Sequence, residues 1–241
     1  MNILVLQFRE DASLEHEQKC LRRLSSHRPS TRFTFVNLME PNVELPSAPQ
    51  LSRDYDRLVL GGSGELYVLG EAGADNKKTT ALKKRLYPWL KEVLELDFPT
   101  LGTCFGFQLI ADCLGYPLTN HKAHRETGIL PIRVTEEGLG SKLFAGVESD
   151  FYAVVGHKDS LPPGDYPTLD ILAVTDKCIQ AFRYRENVYA TQFHSELDEK
   201  DLLVRLNMYP SYGETNAGAE MSIHPCQDAV RVMENFLRES D

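Results

Sequence analysis

An α/β fold is predicted, a mostly parallel sheet with helices on both faces, and three observations predict it. Short β-rich runs alternate with stretches of helical periodicity through the first half of the 241 residues, the rhythm of βαβ units. A second set of such runs then follows with little helix between them, which adds antiparallel strands. A final helical stretch closes the chain.

Taken in order, "NILVLQ" is the first strand, an amphipathic helix runs from Leu14 to Leu24, and "RFTFVNL" and "DRLVLGG" are further strands. A helix around Lys83 to Leu96 leads to the strand "FPTLGT" and then to the helical pattern "FGFQLIADCLG". This half reads as a doubly wound, flavodoxin-like sheet flanked by helices. In the second half "GILPIRV", "FYAVVGH", "DILAVT", "CIQAFRY" and "NVYATQF" supply the extra antiparallel strands, and a helix from about Gln227 to Arg238 ends the chain. Residues 209–225, "YPSYGETNAGAEMSIHP", are polar and rich in Gly and Pro, so they are expected to form a loop insertion. With no internal repeat or linker, residues 1–241 are expected to form a single domain.

Composition excludes several functions. A net charge of −9 and the absence of a Lys/Arg cluster argue against a nucleic-acid partner. No segment approaches the apolar length of a membrane span, and the first apolar run is too short for a signal sequence, so a cytoplasmic protein is expected. The five cysteines are scattered without a C-x-x-C pair, which fits reduced thiols better than disulfides or a zinc site. Neither a metal nor a cofactor is expected. The glycine-containing stretch from Ser63 to Arg85 has neither phosphate-loop nor dinucleotide-binding spacing.

The stretch "FPTLGTCFGFQL" carries the chemistry. Gly102-Thr103-Cys104-Phe105-Gly106 lies between a strand and a helical pattern, the layout of a nucleophile elbow. Such a turn lifts the sulfur above the sheet, sets it at a helix N-terminus that favours a thiolate, and aims the Phe105 N–H at an oxyanion. The plainer alternative, a small buried core thiol, suits Cys113 better than a cysteine flanked by two glycines. A thiolate nucleophile calls for a base. His16, His27, His121, His124 and His224 read as surface residues, the spacing of His121 and His124 being weak evidence for a metal, and His157 suits binding better than proton transfer. His194 ends a strand, as the elbow does, and Glu196 stands two residues on, where a carboxylate can orient the imidazole.

With these pieces in place the sequence resembles the class I glutamine amidotransferases, among them stand-alone members similar to the amidotransferase domain of GMP synthetase. "LVLGGSG" resembles the family's oxyanion strand, "LGTCFGFQL" its cysteine elbow, "VVGHKDSL" its His-x-Asp segment and "TQFHSEL" the His-x-Glu end of its triad. "HRETG" resembles its Glu-x-Gly segment. The resemblance implies Cys104 as nucleophile, His194 as general base and acid, and Glu196 as its orienter. It further implies oxyanion donors at Gly62 and Phe105, with Gln108, His157 and Asp159 around a bound glutamine. Two departures stand out: Ser195 replaces the family's usual proline, and Gly-Gly-Ser replaces Gly-Gly-Pro.

The implied reaction is hydrolysis of the glutamine side-chain amide through a Cys104 γ-glutamyl thioester, which needs no cofactor. Nothing in the sequence resembles an ATP-binding synthetase, so the ammonia would pass to a separate acceptor enzyme. Two alternatives stay open: a stand-alone hydrolase of γ-glutamyl peptides or amides, and a non-catalytic module that binds glutamine.

Overall fold

The computed structural model describes residues 1–26, 30–69, 77–208 and 223–238. Its strands are β1 (Asn2–Gln7), β2 (Arg32–Asn37), β3 (Arg57–Leu60), β4 (Thr100–Thr103), β5 (Glu126–Val134), β6 (Asp150–His157), β7 (Leu169–Val174), β8 (Ile179–Tyr184) and β9 (Val188–Thr191). The helices are α1 (Ser13–Leu24), α2 (Ala48–Asp54), α3 (Lys77–Glu95), α4 (Phe105–Cys113), the single turn α5 (Glu136–Leu139), α6 (Glu199–Met208) and α7 (Gln227–Phe236). One sheet holds all nine strands in the order β2-β1-β3-β4-β9-β8-β7-β5-β6. The five strands from β2 to β9 pair in parallel, and each later pairing is antiparallel.

Alternation along β1 shows how the two layers arise. Ile3 and Val5 point into a core shared with Cys20, Leu21 and Leu24 of α1 and Val232 and Met233 of α7. Leu4 and Leu6 point the other way, to Leu51 of α2, Leu86 and Leu90 of α3 and Phe107 of α4. A strand buried on both faces needs apolar residues at every position, which is why "ILVL" reads as a continuous run. The expected strands are all present, and the helix expected from Lys83 begins six residues earlier, at Lys77. Three helices have no counterpart in the sequence reading, the single turn α5 among them. Helix α2 is capped by a Ser47/Gln50 box with Pro49 in its first turn, and α6 buries Asp201 and Arg205 beside Leu202. Part of the 209–225 segment, residues 209–222, lies outside the described residues, as do residues 70–76 of the long stretch before α3. Among the described residues no helix is long and apolar enough to cross a membrane.

The antiparallel half bends back onto the parallel half. His194, just past β9, forms an isolated antiparallel bridge with Val154 of β6, its N–H donating to the Val154 carbonyl at 2.8 Å. The outermost strand of the sheet thus closes over the carboxyl end of β4, the region where ligands bind in open α/β sheets.

Candidate active site

Cys104 stands between β4 and α4 with φ 54° and ψ −100°, a conformation strained for any side chain with a Cβ. The surrounding structure imposes it. Its N–H donates to Thr191 O of β9 at 2.7 Å, and the Gly106 N–H donates to Gly61 O at 3.1 Å, which pins the first turn of α4 onto the end of β3. Both elbow glycines are steric requirements: a Cβ on Gly106 would meet Leu60 O at 2.2 Å, and one on Gly102 would meet the Gly106 backbone at 2.7 Å. The sulfur is buried and lies 3.8 Å from Gly156 O of β6.

His194 and Glu196 meet it from just past the carboxyl end of β9. The His194 Nδ1–H donates to Glu196 Oε1 at 2.7 Å, which leaves the other ring nitrogen for the Cys104 sulfur, whose influence reaches the ring. Burial alone would lower the His194 pKa; the Glu196 carboxylate and then the Cys104 sulfur override it and raise it to about 10. Burial likewise works against the charge on Glu196, yet His194 and, behind it, Arg205 hold its carboxyl below the usual range. The three groups form a line from sulfur to imidazole to carboxylate, through which a proton leaving the sulfur can be held on the ring.

The remaining predicted residues are placed less simply. Phe105 is the first residue of α4, immediately after the sulfur. Gly62 adjoins Cys104 and His194: a Cβ there would fall 2.8 Å from Arg9 Nη2, 3.1 Å from His194 Cε1 and 3.6 Å from Cys104 Cβ. Its N–H, however, donates to Glu17 Oε1 at 3.1 Å. Glu17 lies on the buried face of α1 and also accepts from Arg9 Nε at 3.1 Å and Gln7 Nε2 at 2.8 Å. The sequence reading missed Glu17 and Arg9, although an acid spaced with Ser13, Leu21 and Leu24 on one helix face is a visible signal.

Gln108 is buried in α4 and donates to Asp159 O at 2.8 Å. The Asp159 carboxylate accepts the Leu69 N–H at 2.9 Å, and burial pushes its pKa up. Both residues thereby tie the elbow and the Ser63–Leu69 segment to the end of β6. His157 belongs to a different cluster. Its Nε2 lies 3.2 Å from Glu126 Oε2, and the Cys178 thiol donates to the same oxygen at 3.1 Å. This second Cys, His and Glu group is not wired as a relay, because carboxylate and sulfur face the same ring nitrogen, the sulfur at 4.0 Å.

A family model described as glutamine amidotransferase class-I matches residues 36–202, more than half of the chain. The chain belongs to the class I glutamine amidotransferase family. It is 32% identical over 114 residues to a glutamine-hydrolyzing GMP synthase of Malacoplasma penetrans, covering 45% of this chain and 21% of that protein. It is 34% identical over 110 residues to one of the subunits of the glutamine-hydrolyzing GMP synthase of Methanosphaera stadtmanae, covering 44% of this chain and 55% of the relative. The chain thus matches only part of these relatives' length. The crystal structure of a glutamine amidotransferase from Thermotoga maritima superposes with a TM-score of 0.70 at 20% identity, over 98% of this chain and 94% of that one. A glutamine amidotransferase structure from Methylobacillus flagellatus gives 0.69 at 17% identity, over 98% and 92%. At those identities the likeness establishes the fold, in agreement with the sheet described above.

Proposed function

We propose that this protein is a glutaminase component, one cytoplasmic domain that releases ammonia from glutamine for a separate acceptor enzyme. The observation that carries the reading is the line of Cys104, His194 and Glu196 at a strained elbow on the carboxyl edge of the sheet. In this mechanism His194 takes the thiol proton while Glu196 holds the ring's tautomer and stabilises the imidazolium. The Cys104 thiolate attacks the side-chain amide carbon, and the carbonyl electron pair moves onto oxygen. Collapse of that intermediate expels ammonia, protonated by His194, and leaves a γ-glutamyl thioester. Water, deprotonated by the same ring, attacks the thioester and releases glutamate and the thiol.

Phe105 offers one backbone donor to the oxyanion. The second donor, Gly62, is occupied by Glu17 in the conformation described, and a turn of the Gly61–Gly62 segment is needed before it can serve. That arrangement supports a protein whose glutamine hydrolysis is slow until an acceptor enzyme docks. The partner proposal also draws on a relative that is named as one subunit of its enzyme. Gln108 and Asp159 act in this scheme by fixing the wall that faces the glutamine, and His157 by anchoring that wall.

The γ-glutamyl peptide hydrolase reading has one observation in its favour. A pocket whose lining includes His194, Val154, Leu197, Leu202, Arg9 and Arg205 adjoins the triad, and a substituent on the γ-amide nitrogen would lie there. Purified protein incubated with glutamine and, separately, with a γ-glutamyl dipeptide decides between them, with Cys104→Ala as the blank. Slow ammonia release that is accelerated by cell extract supports the partnered glutaminase; rapid dipeptide cleavage with negligible ammonia overturns it.

A further inference from the structure

The geometry points to a structural metal site at Glu126, His157 and Cys178, with Gln180 as fourth ligand, loaded with zinc and bracing the wall beside Cys104. The three ligand groups are brought together by strands, not by neighbouring sequence. Glu126 and His157 are register partners across β5 and β6, and Cys178 immediately precedes β8. All four side chains are buried, Cys178 and Gln180 completely.

Their donor atoms converge. Cys178 Sγ, Glu126 Oε2 and His157 Nε2 form a triangle with sides of 3.1, 3.2 and 4.0 Å. The centre of such a triangle is about 2.0 Å from each corner, and zinc keeps about 2.0–2.2 Å to nitrogen and oxygen and about 2.3 Å to sulfur. An ion displaced slightly away from the sulfur meets all three.

Gln180 supplies an independent sign. Its Nε2 sits 2.6 Å from Glu126 Oε2 and 3.2 Å from Cys178 Sγ, while its Oε1 is buried with no hydrogen-bond partner. Rotating the amide by half a turn exchanges the two atoms and brings the orphan oxygen beside two of the three donor atoms, Glu126 Oε2 and Cys178 Sγ. Without a cation that rotation would press oxygen against a carboxylate; with one it completes a four-coordinate, closed site of the structural type. Zinc also resolves a charge problem, since a thiolate and a carboxylate on one divalent ion are neutral together. Binding expels the thiol proton to solvent and moves the ring proton from Nε2 to Nδ1, so one proton is released per ion and affinity rises with pH. Another such cluster among the described residues, His16, Cys20 and Asp201, lacks this logic because the Arg23 guanidinium already occupies the Asp201 carboxylate, at 3.1 and 2.5 Å.

The test is metal analysis of the full-length protein purified without chelator and equilibrated with zinc chloride, followed by gel filtration. About one zinc per chain is expected in the wild type and in Cys104→Ala, and less than a tenth of that in Cys178→Ser and in Glu126→Gln. Loading with cobalt(II) in place of zinc should give a thiolate-to-cobalt absorption band that Cys178→Ser abolishes. Wild-type protein that retains no zinc overturns the proposal without recourse to any variant, as does zinc that persists undiminished in folded Cys178→Ser.

Discussion

Among the described residues, two Cys, His and Glu groups touch neighbouring residues of one strand, since Gly156 lies against Cys104 and His157 belongs to the second group. They differ in wiring. At Cys104 the imidazole uses both nitrogens, one toward the sulfur and one toward Glu196, so charge can pass along the line. At Cys178 the sulfur, the carboxylate and the amide of Gln180 crowd around a single point, and His157 Nδ1 has no hydrogen-bond partner. Surroundings differ as well. Burial and then Glu126 push the Cys178 thiol up, so it stays neutral and inert unless a metal takes the proton's place. The lesson is that residue types do not define a reactive site; the order in which they face each other does.

The strongest way to break the comparison is to exchange the cysteines one at a time. Cys104→Ala is expected to lower glutamine turnover by about 10⁴-fold or more, measured as ammonia release, whereas Cys178→Ala should cost less than about tenfold. Equal losses would show that the second group reaches the reacting atoms. His194→Ala should reduce turnover by roughly 10³-fold through loss of the proton carrier. His157→Ala should instead act on folding: it takes one hydrogen-bond donor from the buried Glu126 carboxylate, a loss of roughly 2 kcal/mol in urea unfolding.

How much of this was legible in the sequence depends on distance along the chain. The Cys104 elbow could be read because its causes are local: two glycines, a strand before and a helix after. His194 and Glu196 could be read because they are two residues apart at a strand's end. The Glu126 cluster could not, since the register of β5 on β6 and the approach of Cys178 are set by pairings across the antiparallel half. Helix α6 escaped for another reason, because a helix that buries Asp201 and Arg205 is invisible to hydrophobic periodicity. Only the structure showed that Gly62 faces Glu17, a contact between α1 and the end of β3 that lie 45 residues apart.

Smaller substitutions sharpen the contrast. Glu196→Gln removes the anion that keeps the proton on His194, so turnover should fall by roughly 10²-fold and alkylation of Cys104 at neutral pH should slow in parallel. The pH dependence of stability follows from the same pair. The raised His194 pKa means its contribution is present below the unfolded histidine value and is lost as pH climbs toward about 10. The lowered Glu196 pKa means its contribution is present above the ordinary carboxylate range and is lost as pH falls through it. The melting temperature of Glu196→Gln should therefore trail the wild type most between the ordinary carboxylate value of 4.5 and the ordinary histidine value of 6.5, and converge with it at both extremes. The smallest effect is expected at Glu17. Glu17→Gln weakens the grip on the Gly62 N–H from a charge-assisted to a neutral hydrogen bond, which should raise unassisted glutamine turnover by about fivefold. A fall in turnover would show that Glu17 supports the productive conformation.

The most direct test of the central claim treats the folded wild-type protein with a glutamine-mimicking electrophile and maps the adduct by peptide mass spectrometry. The account predicts rapid modification confined to Cys104, blocked by excess glutamine and lost in His194→Ala, with Cys178 unmodified until the protein is denatured. Modification of Cys178 in the folded protein, or a Cys104 that stays unlabelled while another cysteine reacts first, would contradict it.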